Sequence, residues 1–181
     1  MTPEKVKKVF DPILGRPAWQ VKKGHGSFLT FEFGSPSLTV REPRAFNPEI
    51  SERLNESRGR RLVTIRGEWH LWIYCCHWEI LKMEKFLSHN ESPDAVIEKA
   101  ASFLDGQTLE SVSVLPDCST VFRFDLGGIL RTRPWDEEEV SEQWMLYEPS
   151  GMVFEINSDS TYSHFPGSTP PDELETFPLF P

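Results

Sequence analysis

The chain has 181 residues, of which 38% are hydrophobic, 12% aromatic and 26% charged. This length favours a single hydrophobic core, and this share of apolar residues excludes an intrinsically disordered chain. Its 28 acidic and 19 basic residues give a formal charge of −9, which disfavours nucleic acid and anionic membranes as partners. A basic protein or a neutral small molecule suits this charge better.

The amino terminus and the cysteines indicate a cytoplasmic protein. No stretch reaches the roughly 20 apolar residues of a membrane helix, and residues 1–10 lack the pattern of a signal peptide. Two of the three cysteines, Cys75 and Cys76, are adjacent, which does not suit a disulfide framework. We therefore expect reduced thiols.

The first third of the chain predicts one short helix, two strands and a long connection. Residues 2–10 predict the helix, with Thr2 as its cap and Pro3 in its first turn. Residues 27–41 alternate apolar and polar side chains on either side of the sequence GSPS, which predicts a hairpin that turns at residues 34–37. The polar residues 41–61 predict a connection with one helical turn near residues 48–54.

Residues 93–105 carry the clearest helix pattern. Ser92 is the predicted N-cap, Pro93 lies in the first turn, and Gly106 is placed to end the helix. Apolar residues spaced along one side form a stripe that is predicted to cover a sheet face. The stripe consists of Val96, Ala100, Phe103 and Leu104.

Strand patterns and a proline-rich end fill the rest of the second half. Residues 120–132 predict a hairpin around two glycines, and residues 142–165 predict a meander of three strands. Residues 167–181 are acidic and rich in proline, and they are predicted to form no sheet. We assign residues 1–166 to a single globular domain and residues 167–181 to a tail, either disordered or a strap that docks through Phe177, Leu179 and Phe180.

Together these elements predict an α+β fold. It is a predominantly antiparallel β-sheet system of about eight to ten strands, curved into a sandwich or open barrel, with one main packed helix at residues 93–105. Residues 31–43 followed by 67–74 resemble residues 124–134 followed by 141–148. A duplicated hairpin-plus-strand unit, giving two similar sheet layers, is therefore one possible origin of the fold.

The sequence GEWHLWIYCCHW, residues 67–78, contains three of the six tryptophans. The run of residues 62–81 is too long for one straight strand, and Gly67 is the expected bend. Alternation beyond Gly67 predicts a core face formed by Trp69, Leu71, Ile73 and Cys75. The opposite face is the candidate binding surface, and it comprises Glu68, His70, Trp72, Tyr74, Cys76 and Trp78.

This candidate surface has alternative interpretations. The helix at residues 93–105 or the strap covers it as a second core layer, or it is an open groove. Glu68 and His70 are also candidates for an acid-oriented general base, and His25, between two glycines, lies at the expected mouth of such a site. Cys75 and His77 are close enough to share a metal ion, but no motif supplies further ligands, so we expect neither a metal nor a cofactor.

Two functions follow from these features. The first is a non-enzymatic protein-binding module that engages a basic partner, similar in general composition, though not in residues, to bacterial immunity proteins. The second is a small-molecule-binding protein or enzyme built on the face of Glu68, His70, Trp72 and Tyr74, which would require a pocket of several hundred Å³ there. No nucleophile elbow, phosphate loop or dinucleotide motif identifies a reaction.

Overall fold

The computed structural model describes residues 2–135 and 139–180. Its helices are Glu4–Phe10 (α1), Glu52–Arg58 (α2) and Asp94–Leu104 (α3), and a 3-10 turn lies at Pro171–Glu173. The strands of the described residues are Trp19–Lys23 (β1), Leu29–Phe33 (β2), Ser37–Arg41 (β3), Leu62–Arg66 (β4), Trp69–Ile73 (β5), His77–Lys82 (β6), Lys85–His89 (β7), Leu109–Val114 (β8), Thr120–Phe124 (β9), Gly128–Arg133 (β10), Glu142–Tyr147 (β11), Met152–Asn157 (β12), Thr161–Pro166 (β13) and Phe177–Pro178 (β14).

The strands form three antiparallel sheets. One has seven strands in the order β1-β2-β5-β11-β12-β13-β14, and a second has five in the order β7-β6-β10-β9-β8. The third is the two-stranded ribbon β3-β4. The predicted α+β fold with antiparallel sheets is therefore confirmed, although the described residues hold fourteen strands and not eight to ten. Among these residues, no helix combines the length and the hydropathy that crossing a membrane requires.

The two larger sheets pack against one shared core and form a sandwich. Phe31 of the seven-stranded sheet stacks on Phe124 of the five-stranded sheet, with ring centroids 6.2 Å apart. Phe10 of α1 lies between the sheets, where its ring contacts both Phe122 and Trp144 edge-on. Trp144 is fully buried and donates its indole N–H to Thr120 Oγ1 at 3.0 Å. Aromatic rings from four elements, α1, β2, β9 and β11, thus connect the two layers.

The predicted hairpin at residues 27–41 is wrong. β2 pairs with β1 and β5, whereas β3 pairs with β4, so residues 34–36 kink the chain and do not reverse it. Gly34 has φ +80°, a conformation that suits glycine at such a kink. Strands β3 and β4 therefore continue the β2-β5 pair outward as a separate ribbon. The helical turn expected near residues 48–54 is α2, which begins after Ser51, whose Oγ accepts a hydrogen bond from Leu54 N–H.

This topology also removes the basis for a duplicated unit. The first of the two similar segments contains no hairpin, whereas the second contains the β9-β10 hairpin that was predicted. The two tryptophan strands, β5 and β11, do not lie in separate layers but are direct neighbours in one sheet, with Trp72 opposite Met145. The meander predicted for residues 142–165 is present as β11, β12 and β13.

The chain from residue 62 to residue 82 bends twice. The first bend is at Gly67, as predicted, where a β-carbon would lie only 2.5 Å from the carbonyl oxygen of Phe33. The second bend, at residues 74–76, was not predicted, and it carries the chain from the seven-stranded sheet to the five-stranded sheet. The alternation shifts there by one residue. Cys76 and Trp78 are consequently buried in the core and do not share a face with His70, which corrects the predicted surface.

Helix α3 confirms the predicted helix, and Ala100, Phe103 and Leu104 of its predicted stripe pack against the core. Pro93, not Ser92, is the N-cap residue, and Ser92 Oγ instead accepts a hydrogen bond from His89 N–H. The buried residues are Ile97, Ala100, Ala101 and Leu104, whereas Val96 is 40% exposed. The helix packs on β1 and β7, so it closes one side of the sandwich and does not cover β5.

The carboxyl-terminal segment joins the seven-stranded sheet, contrary to the prediction that it forms no sheet. Phe177 pairs with Tyr162, and the two rings lie 5.7 Å apart. Leu179 is buried in the core, and its N–H donates to the carbonyl oxygen of Ser160 at 2.9 Å. The pairing is only two residues long, and one of the two is Pro178, which has no backbone N–H to donate to a ladder.

Candidate functional site

Strand β5 divides its side chains between the core and the surface. Leu71 and Ile73 are fully buried, and Trp69 packs against the same core. His70, Trp72 and the following Tyr74 lie on the opposite side and are half-buried. The alternation after Gly67 thus holds for residues 69–74, and it ends at the bend that follows.

Cross-strand register shows which residues share this surface, which we call the outer face. Trp72 lies opposite Thr30 on β2 and Met145 on β11, and Met145 lies opposite Glu155 on β12. At the neighbouring outward-facing position of β5, two residues from Trp72, His70 lies opposite Glu32 and Tyr147. The outer face comprises Thr30, Glu32, His70, Trp72, Tyr74, Glu142, Met145, Tyr147 and Glu155.

Three aromatic rings form a cluster at one end of the outer face. The Phe28 ring lies 5.8 Å from Trp72 and 4.5 Å from Tyr74, and the Trp72 and Tyr74 rings are 4.7 Å apart. All three residues are half-buried, so part of each ring faces solvent. These three residues are named the aromatic cluster below. Clustered rings with accessible faces are suited to binding apolar or cationic groups.

Glu32 anchors a polar network at the other end of the outer face. Its Oε1 accepts hydrogen bonds from Arg66 Nη1 at 2.9 Å and from His70 Nδ1 at 3.0 Å, and its Oε2 accepts from Gly67 N–H at 2.9 Å. Burial raises the pKa of this carboxyl, but the hydrogen bonds from His70, Gly67 and Arg66 outweigh burial and leave the pKa below its ordinary value. Glu32 is therefore an ionised, fully partnered acid.

Glu68 does not orient His70, although the sequence suggested this pair. Glu68 Oε2 accepts hydrogen bonds from Arg16 Nη1 at 3.2 Å and from Ser35 N–H at 3.1 Å. The side chain is exposed and secures the kink between β2 and β3. The acid that holds His70 is Glu32, which lies 38 residues away in sequence and reaches it only through strand pairing.

Glu142 and Glu155 form a second acidic group on the outer face, which we name the acid pair. They are diagonal neighbours on β11 and β12, since Glu142 lies opposite Asn157 and Glu155 opposite Met145. Glu155 is only 6% exposed. Within the described chain, neither carboxylate makes a hydrogen bond or an ion pair through its side chain. Burial, together with the charge of Glu142, raises the pKa of Glu155 to about 7.

Neighbouring residues on the outer face are also short of partners. The hydroxyls of Thr30 and Ser163 are buried without a hydrogen-bond partner, and Ser163 lies directly opposite Glu155. Tyr147 sits between the acid pair and His70, and its ring lies 5.6 Å from that of His70. Burial and the charge of Glu155 raise the pKa of Tyr147. The centre of the face therefore holds carboxylates and hydroxyls that have no hydrogen-bond partner within the described residues.

A hollow of about 420 Å³ opens on the outer face beside the Glu32 network. Among the residues of the predicted surface, Glu68, His70 and Trp72 line it, together with Arg66, Tyr147 and Glu148. Tyr74 belongs to the aromatic cluster outside the hollow. His25 is exposed in the turn between β1 and β2, and the same turn carries Phe28 of the aromatic cluster. The structure thus brings three of the predicted residues to one hollow, whereas Tyr74 and His25 lie outside it and Trp78 is buried in the core.

Trp78 lines a different hollow, of about 570 Å³, on the five-stranded sheet. Its indole N–H donates to the carbonyl oxygen of Ser27 at 2.7 Å. His77 also lines this hollow, and its ring lies 3.7 Å from that of Trp135.

In residues 2–135 and 139–180, no three His, Cys, Asp or Glu side chains converge as metal ligands would.

No protein-family model, curated protein or solved structure is similar to this chain. The chemistry of the outer face is therefore the basis on which a function is inferred. Sequence reasoning missed Glu32, Arg66, Tyr147 and the acid pair on this face. The apolar-polar alternation in β2 and β12 is a signal that Glu32 and Glu155 lie on a sheet face, but alternation does not indicate their cross-strand neighbours.

Proposed function

We propose that this protein is a non-enzymatic binding module that engages a basic protein through the outer face. A lysine or arginine side chain of the partner lies over the aromatic cluster and forms an ion pair with Glu142 and Glu155. The observation that carries this proposal is the acid pair: two neighbouring carboxylates, one of them almost fully buried, with no cation from the described chain beside them.

The lack of a counter-ion favours a cationic partner because a buried carboxylate is costly unless it is paired. Proteins normally satisfy such a group internally, as this chain does at Glu32 with Arg66 and His70. At Glu155 the ionised form is instead opposed by burial and by Glu142. A guanidinium or ammonium group from a partner would relieve both penalties and would supply the missing donors.

The aromatic cluster supports the same class of partner. Arginine and lysine are attracted to the faces of Trp and Tyr rings when the cation lies within about 6 Å of the ring centroid. Trp72 is separated from Glu155 by the single strand β11, roughly 10 Å across the sheet. One long basic side chain, or two neighbouring ones, can therefore contact the rings and the acid pair together. The formal charge of −9 would speed the approach of such a partner.

The non-enzymatic part of the proposal is supported by what surrounds His70. Within the described residues, His70 makes hydrogen bonds only with Glu32 and Arg66, so no serine or cysteine hydroxyl or thiol is placed to be activated by it. Cys76 and Cys118 are buried, and burial raises the pKa of both thiols.

We also propose that the protein lies in the cytoplasm. The three cysteines are free thiols, and free thiols are typical of a reducing compartment.

Binding of tetra-arginine, measured by isothermal titration calorimetry at low salt, tests this proposal. We expect the double variant Glu142→Gln and Glu155→Gln to weaken binding about tenfold or more, because the variant removes the carboxylates that would pair with the guanidinium groups. The matched control is Glu98→Gln with Glu110→Gln. It removes the same charge at exposed positions on α3 and β8, far from the acid pair in sequence.

The control separates a defined site from general attraction to an acidic protein. Binding that is weakened in the first variant and retained within about twofold in the second supports the outer face as the site. Equal losses in both variants, or no binding of tetra-arginine to the native protein, would contradict the proposal.

A second candidate function is the binding of a neutral small molecule in the hollow of about 420 Å³ beside His70. The observation that favours it is that Glu68, His70 and Trp72 line this hollow together. A thermal-shift screen of neutral compounds tests it, because a ligand at about 100 times its dissociation constant adds roughly 2.7 kcal/mol of stability. A true ligand would lose its effect in a His70→Ala variant. The absence of any such compound would remove this candidate.

A further inference from the structure

Strands β3 and β4 form a ribbon that projects from the sandwich with one entirely apolar face. Their register places Leu38 opposite Ile65 and Val40 opposite Val63. These four side chains share a face because cross-strand partners and alternate residues point the same way. They are 70%, 46%, 50% and 53% exposed, respectively. We name residues 37–66, which include the ribbon and α2, the arm.

The ribbon lacks the support that exposed strands normally have. Among the residues that the structure describes, it pairs with no third strand, so the outer backbone edges of both β3 and β4 are open there. An isolated two-stranded ribbon is marginally stable in water, and a contiguous apolar strip beside open edges is the usual mark of a contact surface. The other face of the ribbon is largely polar and consists of Ser37, Thr39, Arg41, Leu62, Thr64 and Arg66.

The charge of the arm is opposite to that of the rest of the chain. Residues 37–66 contain seven arginines, four glutamates and no lysine or aspartate, so their formal charge is +3. Because the whole chain has a charge of −9, the remaining residues, which we call the body, carry −12. Four arginines of the arm, Arg44, Arg53, Arg58 and Arg60, make no ion pair or side-chain hydrogen bond within the described residues. The surface best matched to the arm is therefore the acidic body of another copy of the same chain.

We infer that the arm docks on the body of a second copy, and that two copies exchange arms reciprocally to form a closed dimer. Reciprocal exchange buries both apolar faces and brings the +3 of each arm against the −12 of the partner's body. Stacking two arms against each other would bury the same side chains but would bring like charges together. This inference rests on the arm alone and does not depend on the outer face.

Sedimentation velocity over a range of protein concentrations at low salt tests the inference. We expect a reversible monomer-dimer equilibrium that weakens as salt is added, since the docking includes charge attraction. In the variant Leu38→Thr, Val40→Thr, Val63→Thr and Ile65→Thr, the dimer dissociation constant should rise at least about tenfold. Threonine is β-branched and has a high strand propensity, so the ribbon itself should be preserved in this variant.

The matched control is Thr39→Val with Thr64→Val, which makes the reverse exchange on the opposite face of the ribbon. Its dissociation constant should stay within about twofold of the native value. Hydrogen exchange of the β3 and β4 amides should slow with rising concentration in the native protein and in this control, but not in the four-threonine variant. A chain that is monomeric at every concentration, or two variants that change the equilibrium equally, would overturn the inference. Because Glu142 and Glu155 lie outside the arm, tetra-arginine binding can be lost or retained independently of this result.

Discussion

Glu32 and Glu155 lie on the same face of the seven-stranded sheet, and both are almost fully buried, but their surroundings are opposite. Glu32 is 1% exposed and accepts hydrogen bonds from Arg66, His70 and the backbone of Gly67. Glu155 is 6% exposed and receives none from the described residues. The pKa of the first carboxyl is lowered, whereas that of the second is raised to about 7.

The difference shows that hydrogen-bond and ion-pair partners, more than burial, determine whether an acid on this sheet is ionised. Burial raises the pKa at both positions, and only at Glu32 do donors outweigh it. Glu32 belongs to the internal structure, because it ties β2 to β5 and to the bend at Gly67. Glu155 makes no side-chain hydrogen bond or ion pair within residues 2–135 and 139–180. We therefore propose that Glu32 stabilises the fold and that Glu155 contacts the partner.

Removal of Glu32 should have the largest effect on stability. We expect Glu32→Ala to lower the free energy of unfolding by about 3 kcal/mol near neutral pH, because Arg66, His70 and Gly67 N–H lose a buried acceptor. Urea denaturation measures the change. The control Glu68→Ala removes an exposed acid with two partners and should cost less than about 1 kcal/mol. If both variants lost the same free energy of unfolding, the buried network would not stabilise the fold more than an exposed ion pair does.

The contribution of Glu32 should also depend on pH in a defined direction. Its pKa is lower in the folded protein than the ordinary value of 4.5, so its contribution is complete above that value and is lost as the pH falls through the folded-state pKa. The gap in stability between the native protein and Glu32→Ala should therefore narrow in acid. A gap that is constant from neutral pH into strong acid would contradict the assignment of Glu32 as an ionised acid.

Glu155→Gln should act in the opposite direction. The pKa of Glu155 is raised in the folded state. This group therefore costs no stability below about pH 4.5, and its cost grows as the pH rises through about 7. Glutamine removes that cost, and we expect a gain of about 2 kcal/mol near pH 8 and almost none near pH 4. Thermal unfolding at the two pH values measures it. A loss of stability near pH 8 would mean that Glu155 already has a cation.

An internal cation placed beside Glu155 should have a smaller effect. Met145 lies directly opposite Glu155, so Met145→Lys brings an ammonium group within reach of the carboxylate. We expect about 1 kcal/mol of added stability near pH 8 and weaker binding of tetra-arginine, because the lysine occupies the position proposed for the partner. The control Met83→Lys adds the same charge at an exposed turn of the five-stranded sheet and should change neither.

The sequence predicted the positions of the strands and helices better than it predicted which strands pair with each other. Alternation located the strands of the meander and divided residues 69–74 between two faces, since side chains in a strand alternate whatever the partner strand is. It did not reveal the one-residue shift at residues 74–76, where the chain changes sheets and Trp78 enters the core. The GSPS segment has turn composition, but β3 pairs with β4 because the long connection, not this segment, reverses the chain.

The chemistry of the site depended on register, which the sequence did not supply. Glu68 is two residues from His70, and so it was the obvious partner, yet strand pairing brings Glu32 to the imidazole. Glu142 and Glu155 meet only because β11 and β12 pair with a bulge between residues 142 and 144. A side chain's neighbours across a sheet come from distant positions, so alternation predicts a face but not its contents.

The most direct measurement of the central claim is the titration of the Glu155 carboxyl carbon by NMR, without and with tetra-arginine. In the free protein we expect a pKa of about 7, as for a buried acid beside Glu142 that lacks a cation. Saturation with the peptide should lower this pKa toward the ordinary value of 4.5, because a bound guanidinium favours the ionised carboxylate. An ordinary pKa in the free protein, or a pKa that the peptide leaves unchanged, would contradict the account.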